Sequence, residues 1–302
     1  MPELPEVETV ARGLQREVAG RRILSVTLGK MDFIDDPEAL ERELPGRTIL
    51  GVKRYGKFLL LRLNADEKSG KSEEETALLV HLGMTGMLTP RPVNEPQPKH
   101  THVAMLLDDG RELRYIDPRR FGRMAYLAGE ALRGELRRFG ADPLETGLAE
   151  FAQRIRERWA RIKALLLDQS VLRGVGNIYA DESLWKAKIH PAQLGARLKH
   201  EQVEELYVVL QEILRKAIVQ RGSSISDFLD AEGLPGEYQR HHRVYGREGK
   251  ACFRCKTPIR RVIVAGRSSY FCPKCQAPPR GWKKKRRAKS KAAGDVLKGR
   301  RK

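Results

Sequence analysis

A proline followed at once by a glutamate, at the very start of a chain, is a pair that can make and break bonds to carbon. The chain opens Met1-Pro2-Glu3-Leu4-Pro5-Glu6-Val7-Glu8. A methionine ahead of a small residue is usually trimmed after synthesis, which leaves Pro2 with a free secondary amine. An α-amino group titrates near pH ~7.7–8.0, against ~10.4 for a lysine, so part of it is unprotonated at neutral pH. Such an amine attacks a carbonyl-like carbon and forms an iminium, splitting one difficult cleavage into two easier steps. Glu3 and Glu6 lie within a turn of it and are placed to move protons. The plainer reading is a chain that begins Met-Pro, with Pro5 opening a helix.

Four cysteines form a second cluster, and the chain has no others. The spacing Cys252-x2-Cys255-x16-Cys272-x2-Cys275 makes two knuckles that can present four thiolates tetrahedrally to one Zn²⁺. Every position on the ion is then filled by protein, which makes the metal structural. Two disulfides are the alternative, suited to an oxidising compartment. Residues 259–264 and 269–271 read as strands with 265–268 at the tip. Arg267 is there either a phosphate contact or an exposed turn arginine.

Further clusters punctuate the chain. Arg173-Gly174-Val175-Gly176-Asn177 precedes a helical pattern whose first amides suit an anion; Asn177 either caps that helix or adds a donor. Arg54-Tyr55-Gly56-Lys57 is a hairpin turn whose lysine can reach a phosphate. His81-Leu82-Gly83-Met84-Thr85-Gly86 ends a strand, and Asp117-Pro118-Arg119-Arg120-Phe121-Gly122 is a turn with two arginines and an aromatic. Met84 and Phe121 are either core residues or, with Arg120, a wedge that holds a gap in a base stack. His100 and His102 line the same surface or are structural histidines.

These groups need a scaffold. Val7, Val10, Ala11, Leu14 and Val18 recur at helical spacing between Pro5 and Gly20, which predicts an N-terminal helix of about 14 residues. Strand patterns follow at 23–28, 49–52, 58–63, 78–82, 103–107 and 112–116, with Asp108-Asp109-Gly110 as a hairpin turn. After about residue 127 the periodicity becomes helical, over 132–139, 148–159, 162–172, 178–187 and 203–219. Residues 65–76 and 223–249 read as loops. Among 302 residues, Lys+Arg 58 against Asp+Glu 39 gives +19, a field that favours nucleic acid. Residues 280–302 alone hold twelve Lys or Arg and one Asp, which leaves +8 for the body. No apolar run approaches the roughly 20 residues of a bilayer span, and no secretory h-region is visible. The chain therefore reads as cytoplasmic, nucleoid-associated if it binds DNA, and independent of membranes.

The start Pro2–Glu8, the Lys57 turn, His81–Met84, 117–122, 174–182 and the cysteine hairpin, in that order, resemble the bacterial formamidopyrimidine-DNA glycosylases, from about residue 2 to 276. The resemblance implies an α+β multidomain fold. Its parts are an N-terminal helix plus β-sandwich (1–130), a helix-two-turn-helix domain (131–238) and a C-terminal zinc β-hairpin (239–280); the charge run at 281–302 reads as a basic disordered tail. It implies a monomer on double-stranded DNA that carries oxidised bases or abasic sites, with one structural Zn²⁺. By this likeness Pro2 is the nucleophile, Glu3 the acid/base and Glu6 a supporting carboxylate. Lys57, His81, Asn177 and Arg267 match phosphate-gripping positions, with His100 beside them. Met84, Arg120 and Phe121 match the space-filling trio, and Arg120 reads the orphaned cytosine. Ser223, Ser224 and Tyr245 match the loop over the flipped lesion. Excision of 8-oxoguanine and formamidopyrimidines through a Pro2 Schiff base, then β,δ-elimination, is the implied reaction. Ala160-Arg161 replaces a Lys-Thr pair common in the family, loop 65–76 is longer than usual, and the tail is an addition. An endonuclease VIII-like enzyme for oxidised pyrimidines is one alternative; its members start Pro-Glu-Gly-Pro-Glu. A non-catalytic zinc-hairpin lesion sensor is the other.

Overall fold

The computed structural model describes residues 1–64, 75–225 and 228–282. Most of the expected loop 65–76 and nearly all of the basic tail therefore lie outside the described residues. Helix α1 (Leu4–Val18) leads into β1 (Ile23–Leu28), α2 (Pro37–Glu43), β2 (Ile49–Tyr55), β3 (Phe58–Leu63) and β4 (Thr76–His81). Then come β5 (Met87–Pro92), β6 (Thr101–Leu107), β7 (Arg111–Ile116) and β8 (Arg123–Ala128). The strands make two antiparallel four-stranded sheets, in orders β1-β6-β7-β5 and β2-β3-β4-β8.

Alternation along the strands builds the sandwich. Leu59, Leu61, Leu63, Leu78 and Val80 from one sheet meet Val103, Met105, Leu107 and Leu113 from the other, and the apolar stripe of α1 joins them. Intervening residues Leu60, Ala77 and Leu79 face outward but are covered by Leu132. That two-sided burial is why β4 reads as a continuous apolar run.

Helices α3 (Gly129–Arg137), α4 (Leu148–Arg156), α5 (Ile162–Leu167), α6 (Asn177–Lys186) and α7 (His200–Val219) form the second half, and β9 (Arg260–Val264) pairs with β10 (Arg267–Phe271) in the cysteine hairpin. Leu4 packs in the helical core although the rest of α1 packs in the sandwich. Its N–H donates to the Gly174 carbonyl at 3.0 Å, so the N-terminus is pinned where the halves meet. The return from α7 crosses back as well: Ala231 sits in the sandwich core, and the Thr89 hydroxyl donates to its carbonyl at 3.0 Å.

Several expectations need correction. Strands β5 and β8 and helix α2 are absent from the sequence reading. Pro90 and Pro92 hide β5, and they are tolerated because β5 is an edge strand with no outer ladder to supply. Helix α5 stops at Leu167 rather than 172 because Asp168 turns extended (ψ 109°) and its carboxylate accepts from the Ser170 N–H. Helix α4 likewise ends at Arg156 rather than 159. The hairpin tip is two residues, Ala265 (φ 50°) and Gly266 (φ 71°), so Arg267 already belongs to β10; both positive φ values suit the twist of a tight hairpin. Trp282 stacks edge-on against Phe271 and His190.

Candidate active site

Helix α6 begins without a side-chain cap of its own. Gly176 is its N-cap residue, and Asn177 is already helical, so the capping alternative for Asn177 does not hold. The missing acceptor comes from the other half of the molecule. The Glu3 carboxylate takes the Ile178 N–H at 2.9 Å and the Tyr179 N–H at 3.3 Å. A helix N-terminus offers such free amides together with a favourable dipole. Glycine is required at 176 because a Cβ there would lie 2.2 Å from Glu3 Cδ. Gly174 (φ 95°) gives the same close approach to Leu4. The Gly-Val-Gly segment is therefore a slot cut for the start of the chain.

Glu6 lies one turn on and is as thoroughly enclosed. One oxygen accepts from the Glu3 N–H at 2.8 Å; the other accepts from the Tyr179 hydroxyl at 2.5 Å and the Ser223 N–H at 2.6 Å. Burial, and then the Glu3 charge, push the Glu6 carboxyl up to about 7 despite these donors. Burial also raises Glu3, opposed by Lys57 and the two α6 amides. Two carboxyls in one dry corner disfavour each other's ionised form, as the Glu3 charge does for Glu6. The corner thus holds a proton ready for transfer near neutral pH.

Cations close the ring. Lys57 sits in the two-residue β2–β3 turn, where Gly56 (φ 61°) abuts Arg173 and Gly174. Its ammonium is lowered first by burial and further by Arg267, while Glu3 and Glu6 raise it. His81 is pushed down to about 4, by burial and then by Lys57; its Nδ1 accepts from the Gly83 N–H at 3.1 Å. The terminal amine, one residue from Pro2, is lowered by burial and feels Glu3, Glu6, Lys57 and Arg119. Burial raises the Tyr245 hydroxyl, Glu3 adds to this, and Asn177 opposes it. Pro2, Glu3, Glu6, Lys57, His81, Asn177, Tyr245 and Arg267 therefore converge.

Met84, Arg120 and Phe121 stand apart on an exposed rim. Met84 is 43% and Phe121 56% exposed, which rules out the core alternative for both. Their loops are bound together by Asp117, which is fully buried. One Asp117 oxygen accepts from the Thr85 hydroxyl (2.5 Å) and the Arg119 N–H (3.1 Å), the other from the Tyr115 hydroxyl (3.2 Å) and the Gly122 N–H (3.3 Å). His100 belongs to this rim, its carbonyl taking the Asp117 N–H, and does not join the Glu3 corner. Ser224 is also turned away: its hydroxyl donates to the Phe228 carbonyl and accepts from the Gly236 N–H, holding its own loop.

The four cysteine sulfurs lie within 4.8 Å of one another, with pairs at 3.4, 3.5 and 4.0 Å, close to the ~3.8 Å edge of a tetrahedral Zn²⁺ site with ~2.3 Å bonds. Without a cation they are poor company. Burial and then Cys255 and Cys272 push the Cys275 thiol up to about 12, so an all-thiolate set needs a divalent ion. Helix α6 holds this hairpin too. Asp181 pairs with Lys163 at 2.7 Å and accepts from the Tyr270 N–H at 2.9 Å, while Lys163 donates to the Ser268 carbonyl at 2.8 Å. Glu182 accepts from the N–H groups of Arg243, Val244 and Tyr245.

Sequence reasoning missed Asp117, Tyr179, Lys163, Asp181 and Glu182 as organisers. The one signal available was a run of polar residues, Tyr179, Asp181 and Glu182, inside a helix whose residues 178–185 are all buried; each such group must find a partner.

A model of the formamidopyrimidine-DNA glycosylase N-terminal domain matches residues 1–124, one of the formamidopyrimidine-DNA glycosylase H2TH domain matches 139–229, and one of a zinc finger found in FPG and IleRS matches 249–278. The chain is 44% identical over 282 residues to formamidopyrimidine-DNA glycosylase of Herpetosiphon aurantiacus, covering 92% of this chain and 100% of that protein. Identity to the protein of the same name from Solibacter usitatus is 46% over 278 residues, with 91% and 99% covered. Among solved structures, Lactococcus lactis Fpg complexed with an abasic site containing DNA superimposes with a TM-score of 0.81 at 34% identity, covering 91% of this chain and 100% of that one. The same enzyme with an oxidised pyrimidine containing DNA gives 0.81 at 35%, covering 92% and 100%. MutM (FPG) from Thermus thermophilus gives 0.79 at 40%, covering 91% and 98%.

Proposed function

The chain belongs to the formamidopyrimidine-DNA glycosylase family, and from that premise we propose that its Pro2–Glu3 corner excises oxidised purines from duplex DNA and then cuts the strand. The observation that carries this is the Glu3 carboxyl, buried beside Pro2 and Lys57 and raised by that burial toward its protonated form. Trimming of Met1 frees the Pro2 nitrogen. A base inside the stack is out of reach, so the damaged nucleotide is flipped outward. Pro2 attacks C1′ while Glu3 protonates the sugar ring oxygen; the base leaves, and the resulting iminium acidifies the C2′ proton for β- and then δ-elimination. Lys57, His81, Asn177 and Arg267 hold the flanking phosphates. Met84, Arg120 and Phe121 fill the vacated stack from the rim, and Ser223 and Tyr245 close over the lesion.

The zinc hairpin supplies a rigid mount for Arg267 and takes no part in bond making. We assign the chemistry to residues 1–130, the DNA grip to 131–238 and the mount to the hairpin that follows, with a monomer acting in the compartment that holds the chromosome. Among the described residues no helix is long and apolar enough to cross a membrane.

Borohydride trapping on an abasic-site duplex tests the assignment. A covalent adduct mapping to Pro2 is expected. Absence of an adduct from protein shown to lack Met1 would overturn it and favour a lesion sensor. A second substrate class has one observation behind it, the solved relative bound to an oxidised pyrimidine containing DNA. Single-turnover rates on matched purine and pyrimidine lesions separate the two classes, and the purine rate is expected to be the larger.

A further inference from the structure

Glu6 is the inner end of a line of polar groups that runs out through three segments of the chain. The Tyr179 hydroxyl meets Glu6 at 2.5 Å, the Ser223 hydroxyl lies 3.5 Å from that of Tyr179, and His242 Nε2 lies 3.0 Å from the Ser223 oxygen. One arrangement of hydrogens satisfies every link: Nε2–H donates to Ser223, Ser223 to Tyr179, and Tyr179 to Glu6. Tyr179, Ser223 and Glu6 are buried, while His242 is only half-buried. The line therefore joins an enclosed carboxyl to a residue that is partly exposed.

We propose that Tyr179, Ser223 and His242 form a proton relay that reloads Glu6 from solvent while the groove is occupied by DNA. This rests on the glycosylase reading above. A proton from water adds to His242 Nδ1, and the Nε2 proton passes to the Ser223 oxygen. The Ser223 proton passes to Tyr179, and the Tyr179 proton to a Glu6 oxygen. One proton enters and one arrives; exchange at the imidazole then restores the first tautomer. The link between Tyr179 and Ser223 is the longest and sets the pace.

The surroundings fit such a path. Glu6 is faced by Glu3 and the terminal amine from its own segment, by Tyr179 from α6, by Ser223 from the loop, and by Lys57 from the β2–β3 turn. His242 is faced by His241, by the Tyr238 and Tyr245 rings at 5.9 and 5.6 Å, and by Ser223. Among the described residues, no carboxylate shifts it to hold a charge there. Burial, with a smaller push from His241, lowers it to about 4, so it passes a proton without keeping it. Tyr179, Ser223 and His242 are positioning residues for the Glu6 proton.

The test is a single-turnover pH–rate profile on a duplex with one 8-oxoguanine, using full-length chain with Met1 removed. His242→Leu removes the relay; His242→Gln keeps an N–H for Ser223 but cannot carry a proton through. Both variants are expected to match the unaltered chain near pH ~6, where Glu6 is already loaded, and to fall ~10-fold behind it by pH ~8. A deficit equal at every pH, no deficit, or a Gln variant that behaves as His would overturn the relay. If the unaltered chain itself released no base, the glycosylase reading would fail instead.

Discussion

The Glu3 corner and the cysteine hairpin are both small polar sites, yet they are assembled in opposite ways. The hairpin takes its four sulfurs from two knuckles within one short stretch, joined by a two-residue turn. The corner takes its groups from the chain start, the β2–β3 turn, the N-terminus of α6 and the loop after α7. One is specified by spacing and held by a metal. The other is specified by packing and held by main-chain amides. The hairpin should therefore fail as a unit when its ion is lost, whereas the corner should fail by degrees as single contacts are removed.

The largest expected effect breaks the corner chemically. Glu3→Gln keeps an acceptor for the α6 amides but removes the proton, and should lower the single-turnover excision rate by ~10²–10⁴. Circular dichroism should show the fold intact. Next comes the hairpin. Chelation of zinc, or Cys272→Ser, should unfold the 249–278 unit, because metal binding is folding energy in so small a segment. Weakened affinity for lesion duplex, read by fluorescence anisotropy, should accompany an unchanged thermal transition of the β-sandwich. Gly176→Ala comes third: its Cβ would displace Glu3, and a shift of ~1 Å at a reacting group costs ~100-fold, so the excision rate should drop although no functional group is lost.

Much of this is legible in the sequence, for reasons that differ between the regions. The hairpin is readable because its ligands are four identical side chains at fixed local spacing. Pro2 and Glu3 are readable as a reactive pair at the chain start, Lys57 as a cation in a hairpin turn, and all three by family resemblance. Asp117 is not, because a carboxylate that gathers two loops carries no periodic signal. Tyr179, Asp181 and Glu182 fit a buried helix start by pattern alone, and their partners lie 18 to 176 residues away. Strand β5 is masked by its two prolines, whose tolerance depends on an edge position that only the sheet order reveals.

Two smaller effects sharpen the contrast. Asp117→Ala should leave four donors without an acceptor and cost about 1–3 kcal/mol, seen as a lower thermal midpoint and a looser Met84–Phe121 rim. pH acts on both regions through histidines. His81 by the corner and His190 by the hairpin are held neutral, at about 4, by burial. The unfolded chain takes up their protons near pH ~6.5. Their contribution is thus intact above that value and lost progressively as pH falls to about 4, by roughly 3 kcal/mol apiece. Denaturant midpoints at pH ~7 and ~5 check the sign.

Helix α6 touches nearly everything named above. Its first turn meets the two carboxyls, while Asp181 and Glu182 grip the hairpin and the segment that leads to it. A rod of this length spans about 15 Å, so a tilt of only ~4° about one end swings the other by ~1 Å, enough to misalign a reacting atom. Load placed on the zinc end by a gripped DNA strand is therefore delivered, through a lever with almost no free surface, to the atoms beside Pro2.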